Sequence, residues 1–200
     1  FAKKGKPIWH RALNGASAEA TDQFLRSLAA LQRDLAKLVA NGGFDPDEVV
    51  VGGFSQGAGL ASALMLGTDG PVRPAACLAF CGFVPPVAGL RVDLARAAGR
   101  PFFLSSATDD TFVSLDASRA SAACFEVFGF DVTYHELHCR HEITGEAASL
   151  AGGWLAGIGA SPTPPGPPPS TRAGTVVPDA RVRAGGLLEF ALDLWHVVGH

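Results

Sequence analysis

Long runs of a single charge are missing from this 200-residue chain, and so are apolar runs long enough to span a bilayer. No stretch of Lys or Arg is longer than the pair Lys3-Lys4, and the formal net charge is -3. The basic footprint that a phosphate backbone requires is therefore lacking, which excludes a nucleic-acid reader. The strongly apolar stretch Leu187 to Val198 is broken by Glu189, Asp193 and His196. It is too short to cross a bilayer and argues against stable membrane insertion. Cysteine is scarce too: Cys77, Cys81, Cys124 and Cys139 are too few for a disulfide scaffold, and none forms a CxxC pair. A reducing, cytoplasmic setting is the expectation from that usage. What is present is a 48% hydrophobic content, enough to bury one core and to make one domain the working frame.

Periodicity divides that domain into alternating elements. Phe24, Leu28, Leu31, Leu35 and Leu38 recur at spacings of four and three, which predicts one apolar face of a helix over 18–41, closed by a left-handed cap at Gly42-Gly43. After a turn at Asp45-Pro46-Asp47, Val49-Val50-Val51 reads as a strand buried on both faces. Helix is expected again over 56–66, then strand over 75–80, a helical stretch over 90–98, strand over 101–105, helix over 116–128, strand over 131–137 and a closing helix over 142–158. Strands alternating with helices of this length imply βαβ units and a mostly parallel sheet with helices on both faces. From Ser161 the chain turns Pro-rich, favouring an extended linker. The expected organisation is a domain over 1–160, a linker over 161–185 and a short amphipathic tail over 186–200.

One segment carries nucleophile chemistry. Gly53-Phe54-Ser55-Gln56-Gly57 is a GxSxG pattern set directly between a predicted strand and a predicted helix, the placement that a nucleophile elbow needs. So tight a turn is strained, and Gly53 and Gly57 are expected to remove side chains that would collide with the neighbouring strand and helix. The turn aims the Gln56 amide, at a helix N-terminus, toward a developing oxyanion. A serine hydroxyl is a poor nucleophile at neutral pH and requires a histidine base oriented by an acid. Downstream, Asp109-Asp110 follows one predicted strand and His141 follows another, at the carboxyl edge where parallel sheets collect their chemistry.

These residues resemble the phospholipase/carboxylesterase family of α/β-hydrolases, which includes acyl-protein thioesterases and bacterial carboxylesterases. Gly52-Gly53-Phe54-Ser55-Gln56-Gly57-Ala58 is similar to its nucleophile motif, Asp109-Asp110-Thr111-Phe112-Val113-Ser114 to its acid loop, and His141-Glu142-Ile143 to its catalytic histidine motif. The resemblance implies Ser55 as nucleophile, His141 as base and Asp110 as acid, since in that loop the aspartate stands three residues before a buried Val. It implies Gln56 as an oxyanion donor and Trp9 and Phe54 as substrate-binding residues. No metal or organic cofactor is implied. The expected partner is a small-molecule ester or thioester, with homodimer formation left open. The resemblance begins partway into the family pattern, whose first strands and His-Gly oxyanion loop lie further upstream, so the expected fold is an N-terminally truncated α/β-hydrolase. The competing function is a catalytically impaired hydrolase-like chain that binds a ligand or partner, and a peptidase or dienelactone hydrolase on the same fold is a third, the latter disfavoured by a serine nucleophile.

Blander readings compete for several residues. An aspartate pair ahead of a helix also suits N-capping, and Asp109 is the expected cap. His135, His138, Cys139 and His141 have the composition of a zinc site, but period-two alternation points neighbours apart, and His135 and His138 are read as surface or rim residues. Cys77 and Cys81, four apart on one strand, are read as core filling.

Overall fold

A computed structural model describes residues 2–3, 6–7, 18–67, 70, 72–84, 87, 89–93 and 97–159. Trp9, the expected linker 161–185 and the expected tail 186–200 lie outside the described residues.

Two short strands, β1 (Ala2–Lys3) and β2 (Lys6–Pro7), pair antiparallel. Then come helix α1 (Ala18–Gly42), strand β3 (Val50–Phe54), helix α2 (Gln56–Leu66), strands β4 (Ala76–Phe80) and β5 (Pro101–Ala107), helix α3 (Leu115–Val127), strand β6 (Asp131–Leu137) and helix α4 (Gly145–Gly159). Strands β3 to β6 form one parallel sheet in sequential order, so each connection returns the chain to the same edge.

Alternation along β5 assigns the two faces. Phe102 stacks on Phe125 of α3 with ring centroids 4.1 Å apart, whereas the next residue, Phe103, meets Trp154 of α4 at 5.6 Å. Helices thus cover both faces. The α3 side carries the larger core, where Ala58, Ala61 and Met65 of α2 join Cys77, Phe102, Leu104 and Phe125. Helix α2 is buried from Ala58 through Leu66 because α1 covers its outer side, with Phe24 and Leu28 packed on Leu60, Ala63 and Leu64. A fully buried Phe such as Phe24 contributes about 1.5–3 kcal/mol.

The expected apolar stripe of α1 holds for Phe24 and Leu28, with Leu31 and Leu35 partly buried, but Leu38 is 63% exposed and Val39 is buried instead. The buried row runs Ala20, Phe24, Leu28, and each four-residue step turns about 40° around the axis, so the stripe drifts off the starting face. The helix ends as the sequence predicts: Gly43 is left-handed at φ 65 and the Phe44 amide reaches back to the Val39 carbonyl at 3.2 Å, a Schellman closure.

Three other expectations need correction. Strand β3 is not buried on both faces: Val50 is exposed and none of its five residues is fully buried, and among the described residues it is an edge strand with β4 as its one strand partner. No helix spans 90–98 as a whole, because Val92 bridges Gly67 and the Asp93 amide bonds the Leu66 carbonyl, which draws that stretch along the end of α2, while 94–96 lie outside the described residues. The closing helix starts at Gly145 rather than at Glu142. Thr144 caps it, its hydroxyl accepting from the Ala147 amide at 3.1 Å. Among the described residues no helix is long and apolar enough to cross a membrane.

Candidate active site

Every strand of the parallel sheet ends in a polar group at the same edge. Ser55 follows β3, Cys81 follows β4, Asp110 stands three residues past β5 and His141 four residues past β6. The ladder continues one step beyond the strands, with Ser55 N–H bonding Phe80 O at 2.9 Å, Cys81 N–H bonding Ser105 O at 2.7 Å and Thr108 N–H bonding Leu137 O at 2.9 Å. These bonds fix the starting points of the loops that carry the site.

Ser55 sits at φ 55 and ψ -117, a conformation that costs a non-glycine residue on the order of 1–3 kcal/mol. The turn is tight enough that a Cβ on Gly53 would lie 2.2 Å from the Gly57 carbonyl carbon and 2.6 Å from the Ala58 nitrogen, so glycine is obligatory there. Gly57 differs from the expectation. A Cβ at that position meets no described atom within 4 Å, because the first turn of α2 points it outward.

Three side chains separated by up to 86 positions form a relay. His141 Nε2 lies 2.8 Å from Ser55 Oγ, and His141 Nδ1 lies 2.6 Å from Asp110 Oδ2. Asp110 is all but sealed from solvent, its side chain 1% exposed. Its other oxygen accepts the Phe112 and Val113 amides at 2.7 and 2.9 Å. Burial pushes its carboxyl up, but hydrogen bonds from His141, Val113 and Phe112 outweigh it and hold the group below the ordinary aspartate value. The carboxylate is thus ionised at neutral pH, the state that fixes an imidazole with Nδ1–H toward it and Nε2 free to accept. Val113 is buried, as the register of the acid loop required.

Asp109 does not cap α3. That role belongs to Ser114, whose hydroxyl accepts from the Ala117 amide at 3.2 Å, while Asp109 lies 3.5 Å from His138 at the exposed rim. His135 packs on Phe103 at 5.5 Å. Phe54 lies against the His141 ring with centroids 4.7 Å apart. Gln56 opens α2, so its amide belongs to the first turn, where N–H groups point out along the helix axis.

Two residues stand nearer the chemistry than the sequence suggested. Phe112 is 77% exposed yet its ring is 4.9 Å from that of His141, and with Asp109, Thr111, Arg140 and His141 it lines a cavity of about 590 Å3. Cys81 is not on the strand face with Cys77. It stands one residue past β4 at φ 46 and is buried, with its sulfur beside the site rather than in register with Cys77. Among the described residues, a sulfur, a carboxylate oxygen and an imidazole nitrogen of Cys81, Asp110 and His141 all lie within 4.8 Å of one another. Burial, then the neighbouring Asp110 charge, pushes the Cys81 thiol up to about 12, so it is neutral and no rival nucleophile.

Comparison with known proteins agrees with this architecture. The family model described as phospholipase/carboxylesterase matches residues 2–151. No curated protein matches the chain in sequence. Among solved structures, a Bacillus cereus carboxylesterase is similar with 21% identity and a TM-score of 0.65 over 78% of this chain and 71% of that one. Acyl-protein thioesterase 2 of Zea mays is similar at 19% identity and a TM-score of 0.57, over 75% and 71%. A structure of YahD with malic acid stands at 22% and 0.60, over 74% and 70%. At such identities these likenesses establish the fold.

Proposed function

We propose, for a chain that belongs to the phospholipase/carboxylesterase family and is thereby a hydrolase of the esterase and thioesterase class, that Ser55, His141 and Asp110 carry the reaction through an acyl-enzyme. The observation behind this reading is the continuous path from Ser55 Oγ through both nitrogens of His141 to Asp110, at 2.8 and 2.6 Å. His141 Nε2 takes the Ser55 proton as Oγ attacks the carbonyl carbon. The charge that forms on the carbonyl oxygen is met by the Gln56 amide at the start of α2. Collapse of the tetrahedral intermediate breaks the ester or thioester bond, and His141 returns its proton to the departing alcohol or thiol. Water, deprotonated by His141, then attacks the acyl carbon, releasing the acid and restoring Ser55.

Asp110 stays ionised throughout, offsetting the positive imidazolium rather than taking its proton. The cavity beside His141 combines the exposed Phe112 ring with the Arg140 and Asp109 side chains, which suits a small substrate with an apolar portion. Hydrolysis of p-nitrophenyl butyrate tests the assignment. Ser55→Ala should lower kcat by at least about a thousand-fold, and Asp110→Asn by about a thousand-fold or more through the wrong imidazole tautomer. Turnover by Ser55→Ala equal to that of the parent would end the reading.

A further inference from the structure

Two non-glycine residues among those described have a positive φ, Ser55 at 55 and Cys81 at 46. One is explained by the nucleophile elbow. The other has no such account, since a buried thiol that only filled space could do so in ordinary backbone, without the strain of a left-handed residue. We propose that Cys81 is a positioning residue for the Asp110–His141 pair, its thiol holding the Glu142 carbonyl and thereby setting the depth of His141. The proposal rests on the assignment of the Ser55, His141 and Asp110 relay.

Three observations carry it. First, the thiol lies 3.9 Å from the carbonyl oxygen of Glu142, the residue next to His141, within the longer range of sulfur donors. Second, its sulfur belongs to the same 4.8 Å cluster as the Asp110 oxygen and the His141 nitrogen, so it stands beside both the acid and the base. Third, the segment that bears it has little freedom. The Cys81 amide bonds Ser105 O at 2.7 Å, a Cβ on Gly82 would lie 2.8 Å from that of Ala79, and the Val84 amide bonds Ser121 Oγ of α3 at 3.1 Å. A donor held by a rigid turn transmits that rigidity to what it binds. The loop over 138–144 that carries His141 lacks regular secondary structure of its own, so a tether beside the imidazole matters there.

Substitutions separate the thiol from the backbone that presents it. Cys81→Gly relieves the strained φ and removes the donor, Cys81→Ala keeps the strain and removes the donor, and Cys81→Ser keeps both. Positioning predicts that Ala and Gly each lower kcat on p-nitrophenyl butyrate about ten-fold or more with KM within about two-fold, and that Ser retains most of the parent turnover. It predicts as well that the far-downfield proton resonance of His141 Nδ1, bonded to Asp110, moves in the Ala and Gly variants and stays in Ser. If Gly and Ala match the parent in kcat while the parent remains Ser55-dependent, the proposal is overturned and the relay stands. If the parent shows no Ser55-dependent turnover, the relay's assignment fails, and an imidazole resonance unmoved in the Ala and Gly variants overturns the positioning role by itself. Should Cys81→Ala fail to fold, Cys81→Gly, free of strain, decides in its place.

Discussion

Asp110 shows how a single side chain ties stability to chemistry. Burial and three groups compete over its charge: burial disfavours the carboxylate, while the His141 imidazole and two loop amides favour it and win. A carboxyl held below its unfolded value stabilises the fold fully above that value, near pH 4, and the contribution is lost as pH falls through the lowered folded value. The melting temperature of the parent should therefore exceed that of Asp110→Asn at pH 7, and the gap should close as the pH is taken below about 4. A gap that persists unchanged at pH 3 would show that Asp110 contributes by shape alone. The sequence supplied the residue types here but not their partition. An aspartate pair offers two carboxyls to the same helix start, and what separates them is burial, with Asp110 enclosed and Asp109 left at the rim beside His138. Period-two alternation puts Cys81 on the strand with Cys77 because it assumes extended backbone, and a single positive φ breaks that assumption.

At the scale of elements, the joint between β3 and α2 is the most constrained point. Gly53→Ala forces a methyl into the backbone of Gly57 and should cost more than about 3 kcal/mol in urea unfolding, or abolish folding. Gly57→Ala, two residues beyond the serine, should be neutral or stabilising by up to about 1 kcal/mol, since the new methyl meets no atom of the described residues within 4 Å and alanine prefers a helix. Equal destabilisation by the two would refute this account of the turn. Strand and helix placement was legible because it depends on local pattern: α2 and β6 fall where periodicity puts them. Structure departs from local pattern where tertiary contacts override it. Val92 leaves helical geometry to bridge Gly67, and the chain after His141 takes four residues to reach a capped helix start because His141 itself is pulled toward Ser55.

For the whole molecule, sequential parallel order is what turns local segments into a site. With every connection returning to one edge, four strand ends bring residues 55, 81, 110 and 141 together, though no two are neighbours in the chain. That convergence was inferable from strand alternation plus the order serine, acid, histidine. The cavity at His141 was not, because exposed rim residues such as Phe112 and Arg140 leave no periodic signal. The central claim is that His141 activates Ser55. Its most direct test is peptide mass spectrometry of the full chain after reaction with a fluorophosphonate, for the parent and for His141→Ala. The account predicts a single adduct on the peptide containing Ser55, formed at least about a hundred-fold more slowly without the imidazole. An adduct on another residue, or labelling of Ser55 at the parent rate in His141→Ala, would contradict it.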